Sequence, residues 1–199
     1  MKKLILSTVI LALSACSSVP SNVSKQDFVG EWSCTMKYEN IGVGTVDLLY
    51  LRADGTVKDE NFIFDHSLNR YADSSIKDYF RSPLKYLTIS HGTWVFDNNH
   101  LTYKLKKQSA QRLIYSDTFA KLQRTKSFKD IEAKAFSVYS AGIGQEDSIE
   151  VQVTKYSKDK FTVVQFADKK YEGQCVRKDK ADHQFNGFLE ALKEHFKVK

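Results

Sequence analysis

Two hydrophobic periods divide this chain. From Gly30 to Lys178 apolar and polar residues alternate in short runs, the period-two pattern of strands with one face buried. The runs are Glu31 to Lys37, Gly44 to Arg52, Val57 to Phe64, Tyr86 to Phe96, Leu101 to Lys106, Ser148 to Tyr156, Phe161 to Phe166 and Tyr171 to Lys178. Turn residues separate them. Ala53-Asp54-Gly55-Thr56 carries Asp-Gly, the strongest short hairpin signal, and Asp97-Asn98-Asn99-His100 sets Phe96 against Leu101 and Trp94 against Tyr103. Ser157 to Lys160 and Ala167 to Lys170 divide the last three runs. Beyond Lys178, Phe185, Phe188, Leu189, Leu192 and Phe196 fall at i, i+3, i+4, i+7 and i+11, one helical stripe with Asp179 or Asp182 as N-cap. That stripe fits a helix packed on a sheet better than one lying on a membrane or a partner.

Two stretches break the pattern. Asp65 to Pro83, with Tyr71, Ile76, Tyr79 and Phe80, reads as a short helix or a lid. In Lys106 to Asp147, Leu113, Ile114, Phe119 and Leu122 suit a helix or strands, and one or two strands are expected there. The same stretch carries Lys106, Lys107, Arg112, Lys121, Arg124, Lys126 and Lys129, a basic cluster that reads as a solvated face before an anion or lipid-headgroup site.

The amino terminus has another character. Met1-Lys2-Lys3 precedes an apolar core from Leu4 to Leu13 and the small residues Ser14-Ala15, a secretory signal too short to span a bilayer. Leu13-Ser14-Ala15-Cys16 resembles the lipobox of bacterial lipoproteins. The resemblance implies a signal peptide over 1–15, a diacylglycerol on Cys16, palmitate as a further acyl group, and residence at the cell envelope. Ser17 stands where aspartate would favour inner-membrane retention, which points to the outer membrane. Residues 16–27 then read as a flexible tether, 28–178 as the domain and 179–199 as the terminal helix. The net charge of +6 argues only weakly for nucleic acid, from which an exported chain is separated, and none is expected as a partner.

With Cys16 assigned to lipid, Cys34 and Cys175 remain, an even pair in an oxidising compartment, and a disulfide is expected between them. Both sit in alternating segments. If those strands lie antiparallel with the cysteines opposed, Trp32 faces Arg177, Met36 faces Gly173 and Tyr38 faces Tyr171 on one face. The other face opposes Glu31 to Lys178 and Lys37 to Glu172, two opposite-charge pairs, so one register satisfies both faces. The first strand beside the last means a sheet of hairpins closed on itself. Carrying the cysteine face back through the last turns places Phe166, Val164 and Thr162 inward, then Val153, Val151 and Ile149.

Gly30-Glu31-Trp32 on the first strand, with Arg177 opposite on the last, resembles the calycin and lipocalin pattern, in which an arginine covers the tryptophan and seals the narrow end of a barrel. Gly92-Thr93-Trp94 and Asp54-Gly55-Thr56 resemble hairpins of small bacterial lipocalin-like lipoproteins. The chain lacks the Thr-Asp-Tyr of the central lipocalin loop, and its helix follows the last strand whereas the family's usually precedes it. The expected fold is therefore all-β, an antiparallel up-and-down lipocalin-like barrel of about 8–10 strands with a C-terminal helix.

His66, His91, His100, His183 and His195 show no metal-ligand spacing, and no nucleophile elbow, phosphate loop or dinucleotide fingerprint occurs. No cofactor and no enzymatic activity are expected. The leading expectation is a barrel that takes a small apolar or amphipathic ligand against Met36, Tyr38, Trp94, Tyr103, Val151, Val153, Val164 and Phe166, gated by 65–83, with basic residues at the rim for an acidic head. The alternative is a filled barrel that binds or inhibits another envelope protein through its outer surface.

Overall fold

The computed structural model describes residues 22–66 and 83–198. Cys16, the signal segment and residues 67–82 of the expected lid lie outside the described residues.

Eight strands close into one antiparallel barrel in sequence order: β1 Gly30–Tyr38, β2 Val43–Leu51, β3 Thr56–Asp65, β4 Leu84–Asp97, β5 His100–Arg112, β6 Glu146–Ser157, β7 Lys160–Phe166 and β8 Lys170–Arg177. The seam between β1 and β8 has the register that the alternation implied. Trp32 pairs with Arg177, Cys34 with Cys175 and Met36 with Gly173, and Cys34 is bonded to Cys175 across 141 positions of chain. Beyond Met36 the ladder stops. Lys178 does reach Glu31, at 3.4 Å, but Glu172 is paired with Lys170, at 2.7 Å, rather than with Lys37.

The end of the barrel that holds Trp32 is closed from within. Helix α1, Lys25–Phe28, begins where a flexible tether was expected, with the Asp27 carboxylate accepting from Ser24 N and Oγ at 2.8 and 2.9 Å. The helix drives Phe28, fully buried, among Phe96, Tyr156 and Phe161. Trp32 donates its indole N–H to Phe28 O at 2.7 Å, and the Arg177 guanidinium lies 3.9 Å from the Trp32 ring. Arg177 also donates to Val29 O and Asp27 O, at 2.7 and 2.8 Å, satisfying carbonyls that the short helix leaves open. Gly30 has φ +133°, and any Cβ there would collide with the Arg177 guanidinium. The Gly-x-Trp pattern is thus the clearance that lets the arginine reach the chain on both sides of the indole.

Between β5 and β6 the chain forms helices, not the expected strands: α2 Ser116–Arg124 and α3 Lys126–Ser140. Their Leu122 and Phe128 pack with Ile63, Leu84 and Tyr86 at the end of the barrel opposite Trp32. Glu132, 1% exposed on the apolar face of α3, is held by Arg112 Nε at 2.8 Å and the Tyr86 hydroxyl at 3.4 Å, while Arg112 lies 3.6 Å from the Phe136 ring. Lys107 donates to Tyr139 O and Ala141 O, at 3.0 and 2.6 Å, where carbonyls at the end of α3 lack helical partners. Two of the seven basic residues thus fasten the helical insertion.

Helix α4, His183–His195, covers the outer wall, capped by Asp182, which accepts from Gln184 N and Phe185 N. Its Leu189 and Leu192 meet the outward faces of β2 to β4 at Val46, Leu48, Phe62, Leu87 and Ile89. Lys193 pins the helix to Glu60 at 2.8 Å.

Candidate ligand site inside the barrel

Each strand sends alternate side chains inward, and the paired registers say which. From Cys34 on β1 the cross-strand partner is Asp47 on β2, and from Asp47 it is Asn61 on β3; Trp32 leads likewise to Leu49 and then Asp59. The inner wall of β2 and β3 therefore carries Asp47, Asp59 and Asn61 side by side, where opposed Cβ atoms are about 5 Å apart. They line a cavity of about 110 Å³ above the disulfide. Met36, Leu49, Leu105, Ile149, Val151 and Val163 supply its apolar surface, and Tyr38, Thr45, Tyr103 and Gln165 its remaining polar groups.

The electrostatics of this wall are one-sided. Thr45 donates to Asp47 at 3.3 Å, and Tyr38 donates to Gln165 at 2.9 Å. Asp59, 6% exposed, has one carboxylate oxygen with no hydrogen-bond partner, and the Asn61 carbonyl oxygen has none either. Burial pushes the Asp47 carboxyl up to about 7, against the hydrogen bond from Thr45. Burial also holds Asp59 well above the usual carboxylate range, helped by the negative charges of Asp47 and Glu60. The Tyr103 hydroxyl is raised by burial and by the same two aspartates. Two neighbouring buried carboxyls disfavour double ionisation, so a proton or another cation belongs with them. No lysine, arginine or histidine lines the cavity.

Of the residues expected to contact a ligand, Met36, Tyr38, Tyr103 and Val151 line this cavity. Trp94 and Val153 are buried in the core that closes the barrel and lie outside the cavity lining. Val164 and Phe166 face the other way. Gln165 pairs with Tyr171 and Phe166 with Lys170, so the connection is three residues, Ala167 to Lys169, one shorter than expected, and the face of β7 is exchanged. Phe161, Val163 and Gln165 point inward, while Phe166 is 66% exposed. A register shift between Val153 and Lys155 reverses the phase again, so Ile149, Val151 and Val153 are inward as expected. The expected basic rim for an acidic head has no counterpart in this cavity, whose charged side chains are the two aspartates.

No family model and no curated protein matches this chain. Among solved structures the chain is similar to a de novo designed fluorescence-activating β-barrel, at 11% identity and TM-score 0.37, covering 77% of this chain and 96% of that one. It is also similar to a biogenic amine-binding protein, at 15% identity and TM-score 0.40, covering 88% and 77%. The tryptamine complex of the amine-binding protein of Rhodnius prolixus matches at 18% identity and TM-score 0.39, covering 89% and 78%. The chain's own strand order and register fix its architecture: a closed eight-stranded up-and-down barrel with a C-terminal helix.

Alternation followed backward from β8 does not reach the aspartates; followed forward from Cys34 on β1 it does. Leu51, Leu49 and Asp47 alternate on β2, and Val57, Asp59, Asn61 and Ile63 on β3. An acid in phase with Trp32 and Cys34 was the available signal.

Proposed function

We propose that this protein is a small-ligand-binding barrel, held at the bacterial envelope by a lipid on Cys16, and that it binds rather than catalyses. The observation that carries the reading is a cavity inside the barrel, lined by apolar side chains and by buried acceptors without protein donors. Unsatisfied acceptors are costly in a fold's interior, and a bound molecule is one way to satisfy them. The volume suits a compact molecule; an engineered apolar cavity of about 150 Å³ accepts benzene. Native mass spectrometry of the protein purified from its own envelope is expected to reveal an added small mass. A Val151→Phe variant that remains folded should lose it. If both proteins carry no ligand, and a fragment screen by thermal shift finds none for the parent, the reading fails.

The envelope location rests on the apolar core of the leader and on Leu13-Ser14-Ala15-Cys16. The disulfide between Cys34 and Cys175 is in keeping with an oxidising compartment. Cys16→Ser should move the protein from the membrane fraction to the soluble envelope fraction, and unchanged membrane association counts against the anchor. A second reading, action on another protein through the outer wall, is favoured by an open groove of about 1040 Å³ across β1, β8, β7 and β6, where Val164, Thr35, Lys37 and Glu172 lie. Ligand-free protein that captures an envelope partner, with loss of capture on Glu172→Lys, would favour that reading.

A further inference from the structure

The cavity's chemistry selects among ligands. We propose that the molecule bound in the barrel is a small organic monocation, a primary ammonium on a short apolar body, whose nitrogen sits against Asp47, Asp59 and Asn61. This rests on the ligand-binding reading and narrows it. The argument starts from the inner wall. Asp47 and Asn61 are opposed across β2 and β3, and Asp59 is the next inward residue on β3. One oxygen of Asp59 and the carbonyl oxygen of Asn61 are buried without donors. An ammonium brings three N–H donors and one positive charge, matching a cluster of acceptors with excess negative charge. An anion would be repelled by the two aspartates and would find only neutral hydroxyl and amide donors, with no arginine, lysine or histidine in the lining to balance its charge.

The rest of the lining decides between an organic and an inorganic cation. Calcium takes six to eight oxygen ligands and magnesium holds an octahedral, largely hydrated shell. Here Met36, Leu49, Leu105, Ile149 and Val151 complete the cavity, and no group of three or more metal-binding side chains occurs among the described residues. Apolar walls on one side and carboxylates on the other fit an alkyl- or arylammonium of a size set by about 110 Å³. Tyr103 adds an aromatic surface beside the charged end.

The test is isothermal titration of the full-length protein at pH 8 with butylamine and benzylamine, their neutral counterparts butanol and benzyl alcohol, their anionic counterparts butyrate and benzoate, and calcium chloride. At least one amine should bind ten or more times more tightly than its alcohol, and the carboxylates should not bind. Asp59→Asn should lose at least tenfold for the amine and far less for the alcohol, which brings no charge. Urea unfolding of that variant checks that it is folded, and Asp47→Asn supplies a second independent loss. Equal binding of amine and alcohol would overturn the cation assignment while leaving a ligand-binding barrel. Calcium binding tighter than any amine would overturn it in favour of a metal. No binding by any probe would overturn it as well, and the co-purified mass then decides separately whether the barrel binds ligands at all.

Discussion

Replacing Asp47 by asparagine tests the buried acidic wall without any ligand. The carboxyl moves from its ordinary value of 3.8 to about 7 on folding, because the barrel interior penalises its charge. Between those values the folded state holds a proton that the unfolded state has released. Stability therefore falls as pH rises through this window and levels off above it. A rise of about three pH units is worth about 4 kcal/mol at 1.36 kcal/mol per unit, an upper figure because water entry and relaxation reduce the penalty. The groups facing Asp47 are Asp59, Tyr38 and Tyr103; the tyrosines stay neutral throughout, and Asp59 is retained in the variant. Urea unfolding of the oxidised protein from pH 3 to 8 should give nearly equal stabilities at the acid end. Asp47→Asn should gain progressively over the parent, by up to about 4 kcal/mol at pH 8. Curves that stay parallel within about 0.5 kcal/mol would refute the assignment of a buried, proton-holding carboxyl.

Three further outcomes are open to the same assay. Removing the disulfide as Cys34→Ala with Cys175→Ala should cost about 5 kcal/mol by loop-closure entropy, and a loss under about 1 kcal/mol would mean that the unfolded chain already keeps its ends together. Arg177→Ala strips the Trp32 face, removes the donor to the Val29 carbonyl and leaves the Asp27 carbonyl with the Tyr156 hydroxyl alone; a loss of about 2–3 kcal/mol with a shifted tryptophan emission is expected, and Arg177→Lys should recover little of it. Leu189→Ala, at the centre of the α4 contact, should cost about 2–5 kcal/mol, whereas a near-neutral result would mean that the helix contributes little to holding the outer wall.

What was readable in the sequence followed from constraints that reinforce one another. At the seam, two cysteines, a tryptophan and arginine pair and the charge of Glu31 against Lys178 all select one register. On β7 a single feature, the length of a turn, fixed the phase, and one residue reversed it. The helices between β5 and β6 had a readable signal as well: Phe128, Ile131, Ala135, Phe136 and Tyr139 recur at helical spacing, interrupted on the same face by Glu132. That acid disguised the stripe, and its partners Arg112 and Tyr86 lie on strands that only the fold brings near. The cavity acids share this property. Asp47 and Asp59 look like ordinary polar positions until the register turns them inward.

The seam between the first and last strands also governs the order in which the molecule can be completed. Every other strand pairing joins sequence neighbours, but β1 waits for β8, and the covalent link waits with it. A chain cut short before Tyr171 would possess most of its hairpins and still expose β1 and β7 as bare edges, the arrangement through which sheets recruit other sheets. Premature termination before β8 is complete should thus yield aggregation rather than a slightly smaller working protein, and the oxidised cysteine pair offers a gel-mobility readout of molecules in which the seam has closed.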